Sequence, residues 1–155
     1  MTHLQKGDKA PHFTGVDQNG ATISLGDFKN KKVVLYFYPK DDTPGCTAQA
    51  CNLRDNYTSL IGKGFQVIGV SNDNVKKHKK FEDKYQLPFP LVADEDKTIV
   101  ELYGVYGEKK FMGKTYMGIT RTTFLIDEKG LINNIIEKPD TANQSQQVLD
   151  SWQSL

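Results

Sequence analysis

Residues 33–38, V-V-L-Y-F-Y, form the longest apolar run of the chain, and Pro39 closes it. A run that is β-branched and aromatic throughout, with no polar alternation, is the pattern of a central strand buried on both faces. Such a strand needs a layer above and a layer below, so the chain must supply both. Thr43 and Pro44 follow at once, an N-cap residue with proline in the first turn. They predict a helix running to about Gly62, with that glycine as the C′ residue.

The same logic extends along the chain. Phe13 to Phe28 reads as a hairpin around the Gln18-Asn19-Gly20 turn signal. Phe65–Ser71 is the next buried strand, and Asn72 or Asp73 caps a helix to about Gln86, stopped by Pro88 and Pro90. Leu91–Ala93 reads as a short strand and Asp96–Tyr103 as a short helix. Thr115–Ile126 and Leu131–Glu137, joined by residues 127–130, read as an antiparallel hairpin. A last helix spans about Ala142–Ser154, with Val148, Leu149 and Trp152 on its apolar side. The order predicts an α/β fold: a thioredoxin-like three-layer sandwich, its mixed central sheet flanked by helices, with an N-terminal β-hairpin extension.

A chain of 155 residues without repeats, linkers or low-complexity tracts is expected to form one domain. Its net charge of +1 gives no global attraction to nucleic acid or an anionic membrane. No apolar run approaches the ~20 residues that span a bilayer, and the first residues lack the apolar core of a signal peptide. The run Lys76-Lys77-His78-Lys79-Lys80 points its lysines away from the face of Val75, Phe81 and Tyr85. The lysines therefore read as a solvated face and His78 as a packed side chain. His3, His12 and His78 are too scattered to complete a zinc site with two cysteines. Two cysteines are also too few for a disulfide-stapled secreted scaffold, which makes a reducing cytosol the expected compartment.

Those cysteines, Cys46 and Cys51, are the chain's only two and lie five positions apart on the predicted helix. With Cys46 as the reference, Ala50, Leu53, Tyr57, Leu60 and Ile61 fall within about 60° of it, and Cys51 falls about 140° away. Cys46 thus faces the core at the helix N-terminus, and Cys51 faces largely outward. Helix geometry separates the two Cα atoms by roughly 8.6 Å, whereas a disulfide needs them within about 7 Å. Either the sulfurs never bond or the first turns unwind when they do. The helix N-terminus favours thiolate at Cys46. Thr43 can offer its hydroxyl to the same sulfur or to its substrate, and Pro39 and Pro44 stiffen the loop. Arg54 is either added positive charge or the ion-pair partner of Asp55 or another carboxylate.

Pro39, Thr43 and Cys46 together spell P-x-x-x-T-x-x-C, which resembles the active-site motif of peroxiredoxins. The longer string Y-F-Y-P-K-D-D-T-P-G-C-T-A-Q-A-C-N-L-R-D is similar to the Q subgroup, the bacterioferritin comigratory protein type. The likeness runs from Gly7, Asp8, Ala10 and Pro11 through 111–116 and 118–127 to the final helix. The resemblance implies a thiol-dependent peroxidase acting on hydrogen peroxide and alkyl hydroperoxides. In it Cys46 is the peroxidatic cysteine, Cys51 the resolving cysteine and Arg121 the catalytic arginine, carried on a strand. Thr43 would orient the peroxide and Pro39 would shield the site. It further implies thioredoxin or a similar dithiol as reductant, no metal or haem, an intrachain disulfide and a monomer. Segment 96–103 contains no cysteine, so within this resemblance only Cys51 can resolve. The chain has no Gly-Gly pair, so resistance to overoxidation is expected. A dithiol oxidoreductase would want C-x-x-C and is disfavoured. A peroxide sensor that hands its disulfide to a partner protein would use the same residues.

Overall fold

A computed structural model describes residues 2–153. The central sheet has the strand order β5-β4-β3-β8-β9. Its strands are β3 (Lys32–Phe37), β4 (Phe65–Ser71), β5 (Leu91–Ala93), β8 (Thr122–Ile126) and β9 (Ile132–Ile136). The pairs β3/β4 and β4/β5 are parallel, and β3/β8 and β8/β9 are antiparallel. The apolar run occupies the middle strand, and its side chains alternate between two cores. Val34, Tyr36 and Tyr38 enter one; Val33, Leu35 and Phe37 enter the other.

The helices divide unequally between those faces. Buried residues of α1 (Pro44–Asp55), α2 (Tyr57–Gly62), α3 (Val75–Tyr85) and α5 (Gln144–Ser151) join the core of Tyr36. The opposite core is closed by Ile99 and Val100 of α4 (Thr98–Leu102) and by Phe13 and Ile23 of the N-terminal segment. That segment carries the hairpin expected from the sequence, β1 (Thr14–Val16) paired with β2 (Thr22–Ser24). Asp17 Oδ1 closes its turn by accepting from the Asn19 and Ala21 amides, at 2.8 and 3.1 Å. Among the described residues no helix is long and apolar enough to cross a membrane.

Several boundaries differ from the sequence reading, each for a local reason. The helix expected from Thr43 to Gly62 is two helices, because Asn56 leaves helical geometry and returns its side-chain amide to the Asn52 carbonyl at 2.9 Å. The break resets the helical phase, so Leu60 is buried and Ile61 is 44% exposed instead of facing the core. Gly62 remains helical, and the left-handed position beyond the end is Gly64, at φ 86°. Asn74, rather than Asn72 or Asp73, caps α3: its side chain accepts from the Lys77 amide at 2.8 Å. Asp73 is already engaged, accepting from the Asp41 amide. Helix α4 is shortened at its start because Asp94 accepts from the amides of Ile99 and Val100.

The largest correction concerns the strand expected over Thr115–Ile126. It is two strands, β7 (Lys114–Ile119) and β8, separated by Thr120 and Arg121. Strand β7 folds back on β6 (Tyr106–Phe111) in a separate two-stranded sheet. Strand β6 reads Y-G-E-K-K-F and buries none of its residues fully, so it carries no burial pattern to read. Met112 and Gly113, both at positive φ, make its tight turn. At the C-terminus α5 ends at Ser151, and Trp152 is extended and packs edge-on against Phe65 at 5.2 Å. Ser154, placed in that helix from sequence, lies outside the described residues.

Candidate active site

Helix α1 starts where β3 ends, and the loop between them sets the geometry of Cys46. Thr43 is the N-cap residue, with extended backbone and Pro44 in the first turn. The amides at the start of a helix have no partner within it, so the first turn presents N–H groups and partial positive charge to Cys46. Cys46 is 1% exposed, and both cysteines are free. Cys51 sits in the same helix, half-buried. The wheel read from sequence thus places Cys46 correctly, and Cys51, expected to face largely outward, is less exposed than that.

Arg121 reaches Cys46 from the other side. Its Nη2 donates to Cys46 Sγ at 3.3 Å, and its Nη1 donates to Gln49 Oε1 at 2.7 Å. The arginine does not lie on a strand, as the resemblance suggests, but in the short connection from β7 to β8. That connection exists because β7 leaves the main sheet to pair with β6. Gly45 leaves room for the guanidinium: a Cβ there would stand 3.2 Å from Arg121 Nη2.

Of the two uses read from sequence for the Thr43 hydroxyl, sulfur or substrate, the first is not made: it donates to the Lys40 carbonyl at 2.8 Å. Pro39 is half-buried and ends the apolar strand. Arg54 resolves as an ion-pair partner, 2.9 Å from Asp55, and its Nη1 also donates to the Tyr85 carbonyl.

The loop between Pro39 and Thr43 is fastened from below by a buried polar group. Asp41 accepts from the Tyr38 hydroxyl at 2.6 Å and pairs with His78 Nδ1 at 2.6 Å. His78 Nε2 lies 2.9 Å from the Val92 carbonyl, and Asp73 Oδ2 accepts from the Asp41 amide and the Ser71 hydroxyl, each at 2.8 Å. Burial, then the Asp41 charge, pushes the Tyr38 phenol well above its ordinary value, so it stays a donor. His78 is packed as expected, and it also anchors the loop. Ligand atoms of Asp41, Asp73 and His78 lie within 4.8 Å of one another. Each residue is already satisfied by protein partners, so the group reads as a structural anchor and not as a cation cage.

Three further side chains went unremarked in the sequence. Gln49 is fully buried and holds Arg121. It falls about 60° from Cys46 on the helix wheel, so a polar residue on the core stripe was the available signal. Lys109, on β6, donates to the Ile119 carbonyl at 2.8 Å. Burial first, then the Arg121 charge, holds its ammonium below the usual lysine range. The Tyr36 phenol lies under the same helix; burial, then the Cys46 and Asp41 charges, raises it well above its ordinary value. A buried sulfur at a helix start, with a fixed guanidinium 3.3 Å away, suits attack on a small polar electrophile whose leaving atom gains negative charge.

Comparison with known proteins bears on the chain as a whole. Residues 6–135 match the AhpC/TSA family. Peroxiredoxin Bcp of Escherichia coli is 47% identical over 150 residues, covering 97% of this chain and 96% of the relative. The crystal structure of a cysteine-to-serine mutant of Xylella fastidiosa PrxQ superposes with a TM-score of 0.90 at 30% identity, covering 97% of this chain and 96% of that one. Bacterioferritin comigratory protein of Xanthomonas campestris, studied for its alkyl peroxide reduction activity, superposes at 0.87 with 31% identity over the same shares.

Proposed function

The chain belongs to the AhpC/TSA family and is a peroxiredoxin, a thiol-dependent peroxidase, and on that premise we propose that Cys46 is its peroxidatic and Cys51 its resolving cysteine. The observation that carries the assignment is the 3.3 Å contact from Arg121 Nη2 to a buried Cys46 sulfur at the start of α1. The Cys46 thiolate attacks one oxygen of a peroxide in line with the O–O bond. An S–O bond forms, the O–O bond breaks, and the leaving oxygen takes a proton to become water or an alcohol. Cys46 is left as sulfenic acid. Charge moves from sulfur to the leaving oxygen, and Arg121 contacts this region with its guanidinium cation. The Thr43 hydroxyl donates its hydrogen bond to the Lys40 carbonyl, which leaves its lone pairs free to accept the peroxide hydrogen. Pro39, next in the loop, shields the site from water.

In the second step the Cys51 thiol condenses with the sulfenic acid and releases water, forming the disulfide. An intact α1 holds the Cα atoms roughly 8.6 Å apart, beyond the reach of a disulfide, so the first turns must unwind. A dithiol protein of the thioredoxin kind then reduces the bond by exchange at Cys51, the less buried sulfur. Hydrogen peroxide and alkyl hydroperoxides are the substrates, and the protein acts as a monomer of one domain in the cytoplasm, where such reductants are found. One equivalent of peroxide, followed by peptide mass mapping without reductant, tests the cycle. The expected product has lost two hydrogens and links Cys46 to Cys51, and Cys46→Ser does not consume peroxide. Two free thiols after peroxide is consumed, or peroxidase turnover by Cys46→Ser, contradicts the assignment.

A further inference from the structure

Arg121 is held from a distance by a chain of side-chain amides that ends in the C-terminal helix. Its Nη1 donates to Gln49 Oε1 at 2.7 Å, and Gln49 Nε2 donates to Gln144 Oε1 at 2.8 Å. Gln144 Oε1 also accepts from the Thr123 hydroxyl at 2.8 Å, and Gln144 Nε2 donates to Gln147 Oε1 at 2.7 Å. Gln147 Oε1 accepts in turn from the Asp140 backbone amide at 2.7 Å. Gln49, Gln144 and Thr123 are all fully buried, so water cannot substitute for a missing partner.

The direction of every bond in this chain is determined. An arginine can only donate, so Gln49 must turn its oxygen to Arg121. A backbone N–H can only donate, so Gln147 must turn its oxygen to Asp140. Gln144 lies between a fixed donor and a fixed acceptor, which leaves it one orientation. We propose that Gln144 is a positioning residue for the peroxidase reaction, orienting the Gln49 amide so that its oxygen, not its nitrogen, faces Arg121 beside Cys46. This rests on the assignment of Cys46 and Arg121 above. Without Gln144, the Gln49 nitrogen loses its acceptor and is free to turn toward the guanidinium, donor against donor. Arg121 then loses the contact that fixes it on the sulfur.

Helix docking is a separate matter, because other bonds hold α1 to the start of α5. Asn52 Oδ1 accepts from the Ser145 amide at 2.8 Å, and Asn52 Nδ2 donates to the Ala142 carbonyl at 3.1 Å. Neither involves Gln144. Loss of orientation and loss of docking therefore leave different kinetic signatures.

The test is a single turnover of the reduced protein with hydrogen peroxide, quenched by alkylation and read by mass spectrometry. It separates the second-order oxidation of Cys46 from the first-order closure of the disulfide. Gln144→Leu is expected to slow the oxidation by about tenfold, the scale of one hydrogen bond to a charged group, and to leave closure unchanged. Adding Gln49→Glu should restore most of the loss, because a carboxylate presents oxygen to Arg121 whichever way it turns. Gln147→Leu, at a less buried position, should slow oxidation by a smaller factor, and it decides the matter should Gln144→Leu not fold. An unchanged oxidation rate in folded Gln144→Leu, or no recovery on adding Gln49→Glu, overturns the proposal. Arg121→Ala keeps the two readings distinct. If it oxidises at the normal rate, the Arg121 assignment fails; if it is slow and Gln144→Leu is normal, the relay alone fails.

Discussion

Helices α1 and α3 lie on the same face of the sheet, with 12 and 11 residues, and are held in opposite ways. Helix α3 has a side-chain cap from Asn74, buries Phe81 and His78, and ends on a left-handed Gln86. Helix α1 has none of that security. Its cap residue spends its hydroxyl on the Lys40 carbonyl, proline and glycine fill its first turn, and it stops at Asn56. The residues it buries are Cys46, Gln49, Ala50 and Leu53, of which only Leu53 is a large apolar side chain. Polar contacts through Asn52 supply much of the rest of its attachment. Burial of a large aromatic ring is lost outright when a helix detaches, whereas hydrogen bonds exchange for bonds to water at small net cost. The helix that carries the chemistry is thus the one built to let go.

The contrast can be broken most severely at α3. Phe81→Ala is expected to cost about 3–5 kcal/mol in urea unfolding, as for any large buried ring, while the folded protein still oxidises at its normal rate. The matching change in α1 is milder and acts on kinetics. Asn52→Ala should cost only about 1 kcal/mol and speed disulfide closure, because it removes two bonds that dock α1 on α5. If instead Asn52→Ala slowed closure, the docking would not be what restrains the helix.

A smaller effect sits on the link between the two regions. Asp42, in the loop before α1, accepts from Lys84 Nζ at 2.9 Å and from the Tyr85 hydroxyl at 2.8 Å, at the end of α3. The bond from Lys84, then that from Tyr85, holds the Asp42 carboxyl below its ordinary value. A depressed carboxyl stabilises the fold at pH values above its unfolded pKa of about 3.9 and loses that contribution as pH falls through the depressed value. Wild type should therefore be slightly more stable than Asp42→Asn at pH 7, and the gap should close on acidification. Matched urea titrations of the two proteins at pH 7 and in acid check it, and a gap that widens in acid contradicts it.

How much was legible in the sequence follows the same physical division. Strand β3 and the two cores were readable because burial on both faces leaves an unbroken apolar run. Cys46 was placed by helix phase, and its partner Arg121 by resemblance to a family motif. The β6–β7 hairpin was not readable, because Y-G-E-K-K-F has no fully buried residue and periodicity records only burial. Missing it put Arg121 on a strand instead of in the connection that frees it to reach Cys46. The break at Asn56 depends on one side chain competing for a backbone carbonyl, which propensity alone does not decide. Gln144 and His78 act through partners 95 and 37 positions away, Gln49 and Asp41. Such pairings exist only once the chain has folded.

Hydrogen exchange of the reduced and the disulfide protein, read peptide by peptide by mass spectrometry, tests the central claim most directly. In the reduced protein, amides of residues 47–55 and of 78–85 should both be protected. After one equivalent of peroxide, protection over 47–55 should collapse while that over 78–85 stays as it was. A Cys46–Cys51 disulfide formed with α1 still fully protected would contradict the account.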